Sequence, residues 1–345
     1  MSFFKDMNDS EVFTIAEVGN NHQGELDIAL EYVDKFALAG ANAIKFQTRN
    51  NRYLFDETGY NKEYNSHNAF APTYGAHREV VELSRDDLIR VKARCDEKGV
   101  KFMSTPFDEK SLEVLVDLNC DVIKLASFDL GNLSFMNRVA DTGVSVVMSV
   151  GGGNFDQIKA SVELFQNRGV DLAVLHCVSE YPCSHDRLGL ENLSVLSREF
   201  PEVTVGLSDH FSGILSGPIG YVHGARVFEK HVTLNRAWKG TDHSFSLEVA
   251  GFEKFVRDIK RTPEMWHSKP KDDLGNEFVF QKLGKSLCAY ADIRKGDVIT
   301  LENIRGRIFE GEGLIPVRQT NEVLGRALNR NIAEGDAITF NDLQS

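Results

Sequence analysis

The 345-residue sequence contains neither a long apolar run nor a block of basic residues. No stretch of ~18 apolar residues occurs, so we predict no membrane-spanning helix. The formal net charge of −12 argues against a nucleic-acid-binding surface. The N-terminal segment has neither the basic start nor the apolar core of a secretory signal. The five cysteines form no C-x-x-C pair and fit reduced thiols better than a disulfide framework, so we expect a cytoplasmic protein.

The sequence does contain a regular alternation of short apolar runs and amphipathic stretches. We predict eight strands: Phe13–Val18, Ala43–Phe46, Lys101–Ser104, Val122–Leu125, Ser145–Val150, Leu172–His176, Val203–Leu207 and Val227–His231. The predicted helices between them include Leu26–Ala39, Arg85–Lys98, Glu109–Leu118, Phe155–Arg168 and Leu190–Phe200. Eight such units predict a (β/α)8 TIM barrel over residues 1–262. A doubly wound open sheet is the alternative, but no G-x-G-x-x-G motif follows the first strand.

Some segments lie outside this alternation. The polar stretch Asn50–Val80 is long for a loop, and we predict that it lies over the C-terminal ends of the strands. Residues 263–282 are predicted to be a linker. Residues 283–345 contain a repeat in which Asp292–Ile304 matches Asn331–Leu343, each with a Gly-Asp turn between β-branched residues. This pattern predicts a small β-rich domain.

Polar residues lie at the C-terminal ends of the predicted strands, which form the active site of a barrel. Lys45 and Lys124 lie within apolar strands, where a lysine is costly unless it meets an anion. Three serines at neighbouring strand ends can donate hydrogen bonds to phosphate oxygens: Ser127, Ser149 and Ser208. The pattern favours an anion-binding site. The alternative is a layer of ion pairs between the lysines and Glu17 and Glu229.

His210 and His231 lie at the ends of the seventh and eighth predicted strands. Adjacent strands of a barrel can bring two imidazoles to one metal ion. Two histidine ligands with several open positions suit Mn²⁺ or Mg²⁺ better than a closed zinc site. The alternative is a pair of hydrogen-bonded core histidines, and the spacing alone does not decide between the two.

Six motifs occur in order along the predicted barrel. They are Ile15-Ala-Glu-Val-Gly-Asn-Asn-His22, Ile44-Lys-Phe-Gln-Thr48, Leu175-His-Cys177 with Tyr181-Pro182, Gly206-Leu-Ser-Asp-His210, Phe228-Glu-Lys-His231 and Lys239-Gly-Thr-Asp-His243. They resemble the sialic acid synthase (N-acetylneuraminate synthase) family, and the tail from about Leu283 resembles that family's antifreeze-like SAF domain.

The resemblance implies a Mn²⁺-dependent TIM-barrel enzyme that condenses phosphoenolpyruvate with N-acetylmannosamine or a related aldose. Its product would be a 2-keto-3-deoxy sugar acid, made with release of phosphate for surface polysaccharides. The resemblance also implies a domain-swapped homodimer in which the SAF domain covers the partner's barrel.

The same resemblance assigns roles to individual residues. The phosphoenolpyruvate contacts fall on Lys45, Lys124, Ser127, Ser149 and Ser208, and the metal ligands on His210 and His231. The sugar pocket falls on Glu17, Gln47, Tyr181 and Asp242. Glu17 is our first candidate for proton transfer, because it is the acid at the end of strand one. Glu229 shares a strand face with His231 and is either a catalytic partner or a member of a barrel ion pair.

Three positions depart from the family pattern. Asp129, our third catalytic candidate, takes a position usually held by glutamate. Ser179 replaces an asparagine two residues before Tyr181. Phe309 stands where the family has an arginine that reaches the sugar's acyl group, although Arg307 lies two residues upstream. These departures predict an altered sugar pocket that includes Phe309.

Two other functions are compatible with parts of the sequence. Lys124 could be the Schiff-base lysine of a pyruvate aldolase on the same barrel. The chain could also be a non-catalytic carbohydrate-binding protein with a degenerate barrel. The presence of both lysines and both histidines argues against that last alternative.

Overall fold

The structure, a computed structural model, describes residues 3–8, 10–270 and 277–344. The chain divides into two units, Met1–Trp266 and His267–Ser345. Within the described residues, no helix has the length and apolar character needed to cross a membrane.

All eight predicted strands are present, and they close into one barrel in the order of the sequence. They are β1 Phe13–Gly19, β2 Ala43–Thr48, β3 Lys101–Pro106, β4 Val122–Leu125, β5 Ser145–Ser149, β6 Leu172–Cys177, β7 Thr204–Asp209 and β8 Val227–His231. Neighbouring strands are parallel, and β1 pairs with β8. The predicted TIM barrel is therefore confirmed, and closure between β1 and β8 excludes the open sheet.

Helices connect the strands and surround the barrel. They are α1 Leu26–Leu38, α2 Asn51–Leu54, α3 Glu57–Asn61, α4 Tyr74–Val80, α5 Arg85–Lys98, α6 Glu109–Asp117, α7 Leu133–Asp141, α8 Phe155–Asn167, α9 Asn192–Glu199, α10 Ser216–Val222 and α11 Val249–Met265. The five predicted helices agree with α1, α5, α6, α8 and α9 to within two residues at each end.

Capping residues explain why the ends of these helices can be predicted from the sequence. At the start of α5, Ser84 Oγ accepts the Asp87 N–H at 3.2 Å, and the Asp87 carboxylate accepts the Ser84 N–H at 3.2 Å. The helix ends at Gly99, whose φ of 71° suits glycine. Asn154 and Gln157 form the same reciprocal cap at the start of α8.

The segment Asn50–Val80 was predicted as a polar loop, and the structure corrects this, because it contains the short helices α2, α3 and α4. Each has a side-chain N-cap, contributed by Asn50, Asp56 and Thr73. The helices have only four, five and seven residues. Such lengths are too short to produce an apolar periodicity that identifies a helix.

Helix α11 extends to Met265, three residues beyond the predicted barrel boundary at 262. It includes Pro263, which removes one hydrogen bond but is tolerated so close to the helix end. Phe252 and Phe255 are fully buried against the barrel, which fixes the helix by packing. Residues 271–276 of the predicted linker lie outside the described residues.

The interior of the barrel has two layers, because alternate residues of a strand face the same side. The layer nearer the strand N-termini is apolar and consists of Ile15, Ala43, Met103, Val122, Val147, Ala173, Leu175 and Val227. Two residues further along the strands the same face is polar, with Glu17, Lys45, Thr105, Lys124, Ser149 and Glu229, all buried. The polar layer at the catalytic end therefore lies directly above the apolar layer, which we call the apolar floor.

The N-terminal segment closes the opposite end of the barrel. Phe4 is 1% exposed and packs on the apolar layer. Asp171 accepts the backbone N–H groups of Phe3 at 2.6 Å, Phe4 at 3.1 Å and Lys5 at 3.0 Å. Burial opposes ionisation of Asp171, but these N–H groups and Ser145 outweigh it and lower its pKa.

The second unit contains the helices α12 Phe278–Leu283 and α13 Thr320–Val323 and the antiparallel strands β9 Ser286–Ala289 and β10 Ile304–Arg307. Helix α12 overlaps the segment predicted as a linker, which ends at 282, and extends one residue beyond it. The core consists of Leu287, Ala289, Ile293, Ile299, Ile304, Ile315, Val323, Leu328, Ile332, Ile338 and Leu343. The small β-rich unit expected from the tail is present.

The two copies of the predicted repeat, Asp292–Ile304 and Asn331–Leu343, pair with each other in this unit. Ile293 N–H donates to Ile332 O at 2.8 Å, and Ile332 N–H donates to Ile293 O at 2.9 Å. These two isoleucines occupy the same place in the repeat. The unit therefore has an approximate internal twofold arrangement.

The polar residue before each turn forms a hydrogen bond with the turn of the other copy. Asp292 Oδ1 accepts the N–H of Glu334 at 2.9 Å, and Asn331 Oδ1 accepts the N–H of Lys295 at 2.8 Å. Each copy thus satisfies a backbone donor in the turn of the other. The two copies of the repeat are therefore similar in sequence and also hydrogen-bonded to each other.

Candidate active site

A cavity of about 580 Å³ lies at the C-terminal ends of the barrel strands. Twelve predicted site residues line it: Glu17, Lys45, Gln47, Lys124, Ser127, Ser149, Tyr181, Ser208, His210, Glu229, His231 and Asp242. Leu54, Phe55, Tyr74 and Arg78 also line it. The segment Asn50–Val80 therefore lies over the strand ends, as predicted.

Lys45 is buried between two carboxylates. Its Nζ lies 2.7 Å from Glu17 Oε2 and 3.6 Å from Glu229 Oε2, and its side chain is 3% exposed. The strand register accounts for the closer pair, because Glu17 and Lys45 are direct neighbours on β1 and β2. The ion-pair alternative considered from the sequence is therefore right for Lys45.

Lys124 is buried to the same extent but has different partners. Its Nζ donates to the Leu125 carbonyl at 2.9 Å, and the described residues provide it with no ion pair. Ser149 Oγ, on the neighbouring strand, is buried without a hydrogen-bond partner. Burial lowers the pKa of Lys124 although Glu229 opposes this. These incompletely satisfied groups fit an anionic ligand better than an internal ion pair.

The two carboxyl groups beside Lys45 differ in their affinity for protons. Burial opposes ionisation of Glu229, but Lys124 and Lys45 outweigh it and lower its pKa to about 2. Ser208 Oγ also donates to Glu229 at 2.9 Å. Burial raises the pKa of Glu17 by more than Lys45 lowers it. Glu229 is thus a permanent anion, and Glu17 is the better proton carrier.

The rings of His210 and His231 converge, with centroids 5.2 Å apart. His210 Nδ1 lies 2.8 Å from the Val178 carbonyl, which can only accept, so this nitrogen carries a proton and Nε2 of the neutral ring can bind a metal. His231 Nδ1 is buried without a hydrogen-bond partner and lies 3.8 Å from Asp242 Oδ2. This arrangement fits a cation that takes its remaining ligands from substrate or water.

No group of three or more His, Cys, Asp or Glu side chains within the described residues has the geometry of a metal site. Within the described part of the chain, His210 and His231 would therefore supply only some of the ligands of a bound metal ion. The ring of Tyr181, 47% exposed, covers His210 with a centroid separation of 4.1 Å. Cys177, which the sequence analysis did not assign, places its Sγ 3.9 Å from His210 Nδ1.

A line of hydrogen bonds runs from the barrel interior toward the cavity mouth. Gln47 Nε2 donates to Glu17 Oε1 at 2.8 Å, and Arg49 Nη2 donates to Gln47 Oε1 at 2.6 Å. Arg49 Nη1 lies 3.1 Å from Glu82 Oε1 and donates to Asn20 Oδ1 at 3.2 Å. Asn20 follows a β-bulge in β1 at Gly19, whose φ of 57° turns the chain toward the mouth.

Arg78 ends this line, and neither arginine was among the residues predicted from the sequence. Arg78 Nη1 donates to Asn20 Oδ1 at 3.2 Å, the same oxygen that Arg49 contacts. Its Nη2 donates to the Tyr74 hydroxyl at 2.9 Å. The one available signal was that both residues belong to the polar region that follows β2.

Two predicted site residues are not part of the cavity lining. Asp129 lies in a helical turn where Asn132 Nδ2 donates to its Oδ1 at 3.1 Å, and burial raises its pKa. Phe309 belongs to the second unit, where the Arg307 guanidinium lies 5.7 Å from its ring centroid. The catalytic role of Asp129 and the sugar contact of Phe309 stay predictions.

Comparisons with known proteins agree with this arrangement. The NeuB family model matches residues 32–271, more than two thirds of the chain. The chain belongs to the NeuB family. Human N-acetylneuraminate-9-phosphate synthase is 31% identical over 94% of this chain and 91% of the human protein. N,N'-diacetyllegionaminic acid synthase of Legionella pneumophila is 30% identical over 96% of this chain and 95% of its own length.

A solved structure gives the same result for this NeuB-family chain. The N-acetylneuraminic acid synthetase of Leptospira borgpetersenii serovar Hardjo-bovis, crystallised with citrate, is 30% identical with a TM-score of 0.70. The match covers 80% of this chain and 95% of that one. The resemblance to sialic acid synthases inferred from the motifs is therefore confirmed.

Proposed function

We propose that this NeuB-family enzyme condenses phosphoenolpyruvate with the aldehyde of an aldose and releases inorganic phosphate. The product would be a 2-keto-3-deoxy sugar acid of the nonulosonate type, used in surface polysaccharides. One observation carries the proposal: Lys124 and Ser149 are buried at the active end of the barrel without a carboxylate or hydroxyl partner. A phosphate or carboxylate group would satisfy both.

The proposed phosphoenolpyruvate site lies among Lys45, Lys124 and the three serines. A bound anion within ~4 Å of Lys124 would gain up to about 4 kcal/mol of gross attraction at an effective dielectric of ~20. Gly151 N–H donates to Ser127 Oγ at 3.2 Å, and Ser127 Oγ donates to Cys177 Sγ at 3.6 Å, so this hydroxyl is held in place at the strand ends. Glu229 balances the lysine charges when the site is empty.

The proposed acceptor site lies on the side of Glu17, Gln47, Tyr181 and Asp242. The Gln47 amide is oriented by Glu17 and Arg49 and so presents a fixed face to the cavity. The two relatives described above are named for different nonulosonate products. The acceptor sugar therefore varies within the family. The acceptor of this chain is identified by the aldose panel described below.

In the proposed reaction, C3 of phosphoenolpyruvate attacks the aldehyde carbon. Protonated Glu17 can give its proton to the aldehyde oxygen, which becomes the new hydroxyl. Water then adds at C2, where positive charge has developed, and the C–O bond to phosphate breaks as a proton is released. His210 and His231 would hold Mn²⁺ or Mg²⁺, and a bound divalent cation polarises the aldehyde and orients water.

The assembly and location belong to the same proposal. We propose a domain-swapped homodimer in which the second unit, of the SAF type, covers the partner's barrel. Helix α12 supports an interface, because Phe278 is 76% and Leu283 is 56% exposed. Removing residues 277–345 should leave a folded barrel with poor activity, and a monomeric truncate with full activity would contradict the assembly. The free state of all five cysteines supports a cytoplasmic location.

The function is tested by following phosphoenolpyruvate consumption and phosphate release against a panel of aldoses, with and without Mn²⁺. We expect stoichiometric release that depends on both aldose and metal. The lowered pKa of Lys124 favours one rival, a pyruvate aldolase that uses this amine as a nucleophile. Borohydride trapping of pyruvate on Lys124, with no phosphate release from phosphoenolpyruvate, would establish that rival.

A further inference from the structure

Asp209 and Lys230 form an ion pair that is almost completely buried. Lys230 Nζ lies 2.6 Å from Asp209 Oδ2, and the side chains of Lys230 and Asp209 are 1% and 0% exposed. The two residues are direct neighbours on β7 and β8. Lys230 Nζ also lies 5.7 Å from the ring centroids of Phe211 and Phe255, so aromatic rings enclose the charges. The proposed function gives this pair no role.

The pair lies on the outer face of the barrel wall. Ser208 and Glu229, the preceding residues of the two strands, line the active-site cavity. Because alternate residues of a strand face opposite sides, Asp209 and Lys230 face the surrounding helices. Ser216 of α10 agrees with this placement, since its Oγ donates to Asp209 Oδ2. The pair therefore contacts neither a cation nor a substrate in the cavity.

Stability alone is a poor explanation for two charges at this place. Desolvation of both groups offsets much of their mutual attraction, and well-packed apolar residues at such positions are often equally or more stabilising. The preceding outward residues of the same strands are indeed apolar and buried: Leu207 on β7 and Phe228 on β8. An ion pair differs from such a contact because it is directional, so it fixes how two strand ends lie relative to each other.

The pair fixes the backbone around His210. Phe211 N–H donates to Asp209 Oδ1 at 2.9 Å, and Lys230 Nζ donates to the Phe211 carbonyl. His210 thus lies between two residues that the pair holds. On the other strand, His231 follows Lys230 directly, and its Nδ1 has no hydrogen-bond partner among the described residues. The position of the His231 ring therefore depends on its backbone and its packing.

We propose that Asp209 and Lys230 are positioning residues that hold His210 and His231 in the arrangement that binds one divalent cation. This inference rests on the proposed function and deepens its metal site. The pair acts by fixing the strand ends before the cation arrives. Ligands that are already in place bind more tightly, because less conformational entropy is lost on binding. Loss of residues that orient metal ligands typically lowers metal affinity by about 10- to 100-fold.

The alternative is that the pair only stabilises the fold, and the chain offers a control for this. Lys92 Nζ lies 2.6 Å from Asp96 Oδ1 and 3.4 Å from Asp121 Oδ2, and its side chain is 16% exposed. Lys92 belongs to α5 and is not part of the cavity lining. A pair that only stabilises the fold should behave like Lys92 in a metal titration.

The experiment measures the dissociation constant of Mn²⁺ from the substrate-free enzyme by isothermal titration calorimetry, and urea unfolding midpoints in chelator. The main variant combines Asp209→Asn with Lys230→Met, so that no unpaired charge remains. We expect its dissociation constant to rise by about 10- to 100-fold and excess Mn²⁺ to restore most of kcat. Lys92→Met should keep the wild-type dissociation constant, whatever its effect on the midpoint. Asp209→Asn alone, which retains an acceptor for Phe211 N–H, replaces the double variant if that one does not fold.

Three results would overturn the inference. They are an unchanged dissociation constant in the folded variant, an equal rise in Lys92→Met, and a loss of kcat that excess Mn²⁺ does not restore. In these cases the proposed function stands. Absence of Mn²⁺ binding by the wild type would refute this inference together with the proposed metal site. Phosphate release from phosphoenolpyruvate tests the condensation separately.

Discussion

Lys45 and Lys124 are equally buried, yet their replacement by methionine should destabilise the empty enzyme to different extents. Lys45→Met leaves Glu17 buried without its cation and removes one of the two lysines near Glu229. Breaking a buried ion pair in this way costs about 3–5 kcal/mol of unfolding free energy. Lys124→Met removes a cation that forms no ion pair with any described residue, although its charge helps to keep Glu229 ionised. Burial already lowers the pKa of Lys124, so we expect this variant to be destabilised less than Lys45→Met.

Phosphoenolpyruvate should increase the difference in unfolding free energy between Lys124→Met and the wild type. A ligand at 100 times its Kd stabilises a protein by about 2.7 kcal/mol. Loss of one charged contact of ~2–4 kcal/mol raises Kd by about 30- to 900-fold. At the same concentration, the stabilisation of Lys124→Met should then fall below about 1 kcal/mol. Lys45→Met should also bind phosphoenolpyruvate more weakly.

Urea unfolding with and without phosphoenolpyruvate measures both effects. Lys110→Met is a suitable control, because Lys110 is exposed and pairs only with Glu113 on its own helix, and it should change stability by less than about 0.5 kcal/mol. Equal destabilisation of the empty enzyme by the Lys45 and Lys124 variants would refute the reasoning. So would an undiminished response of Lys124→Met to the ligand.

Three further outcomes are expected. Chelation should abolish turnover, and Mn²⁺ should restore it. The His210→Ala and His231→Ala variants should lose several orders of magnitude in rate. Full activity in the presence of chelator would contradict the metal site. N-acetylmannosamine should be a poor acceptor that Phe309→Arg improves, and efficient use by the wild type would show otherwise. Asp171→Ala should destabilise the protein by about 1.5–3 kcal/mol at neutral pH. Because the folded pKa of Asp171 is lowered, this difference should shrink as pH falls below about 4, the unfolded value, and through the lower folded pKa. Denaturation at several pH values will show whether it does.

The sequence was sufficient for the barrel because its signals are local. The strands are buried on both faces, and caps such as Ser84 and Asn154 mark the helix starts. The active end was also predictable, since six of the eight strands change from apolar to polar on their inward face within two residues. Residues such as Glu17 and His231 were therefore placed correctly at one end without any knowledge of their contacts.

The sequence could not distinguish the two lysines. Both lie in short apolar runs, but Lys45 faces Glu17 only because of the register between β1 and β2. Arg49 and Arg78 were overlooked for a related reason. They come from opposite ends of the segment over the barrel mouth, and they meet only where Asn20 accepts from both. Neither the register between β1 and β2 nor the meeting of the two arginines at Asn20 produces a periodic pattern in the sequence.

The burial of the cationic groups has a consequence for the speed of substrate capture. The protein carries a net charge of −12, and its reactive lysines lie deep in the barrel above an apolar floor. An approaching anion therefore meets repulsion from the surface before it meets attraction inside the cavity. At 0.1 M salt the Debye length is only about 10 Å, so added salt screens the outer surface much more than the buried lysines. Moderate salt should thus accelerate association of phosphoenolpyruvate, the reverse of what is usual for a basic protein that captures an anion.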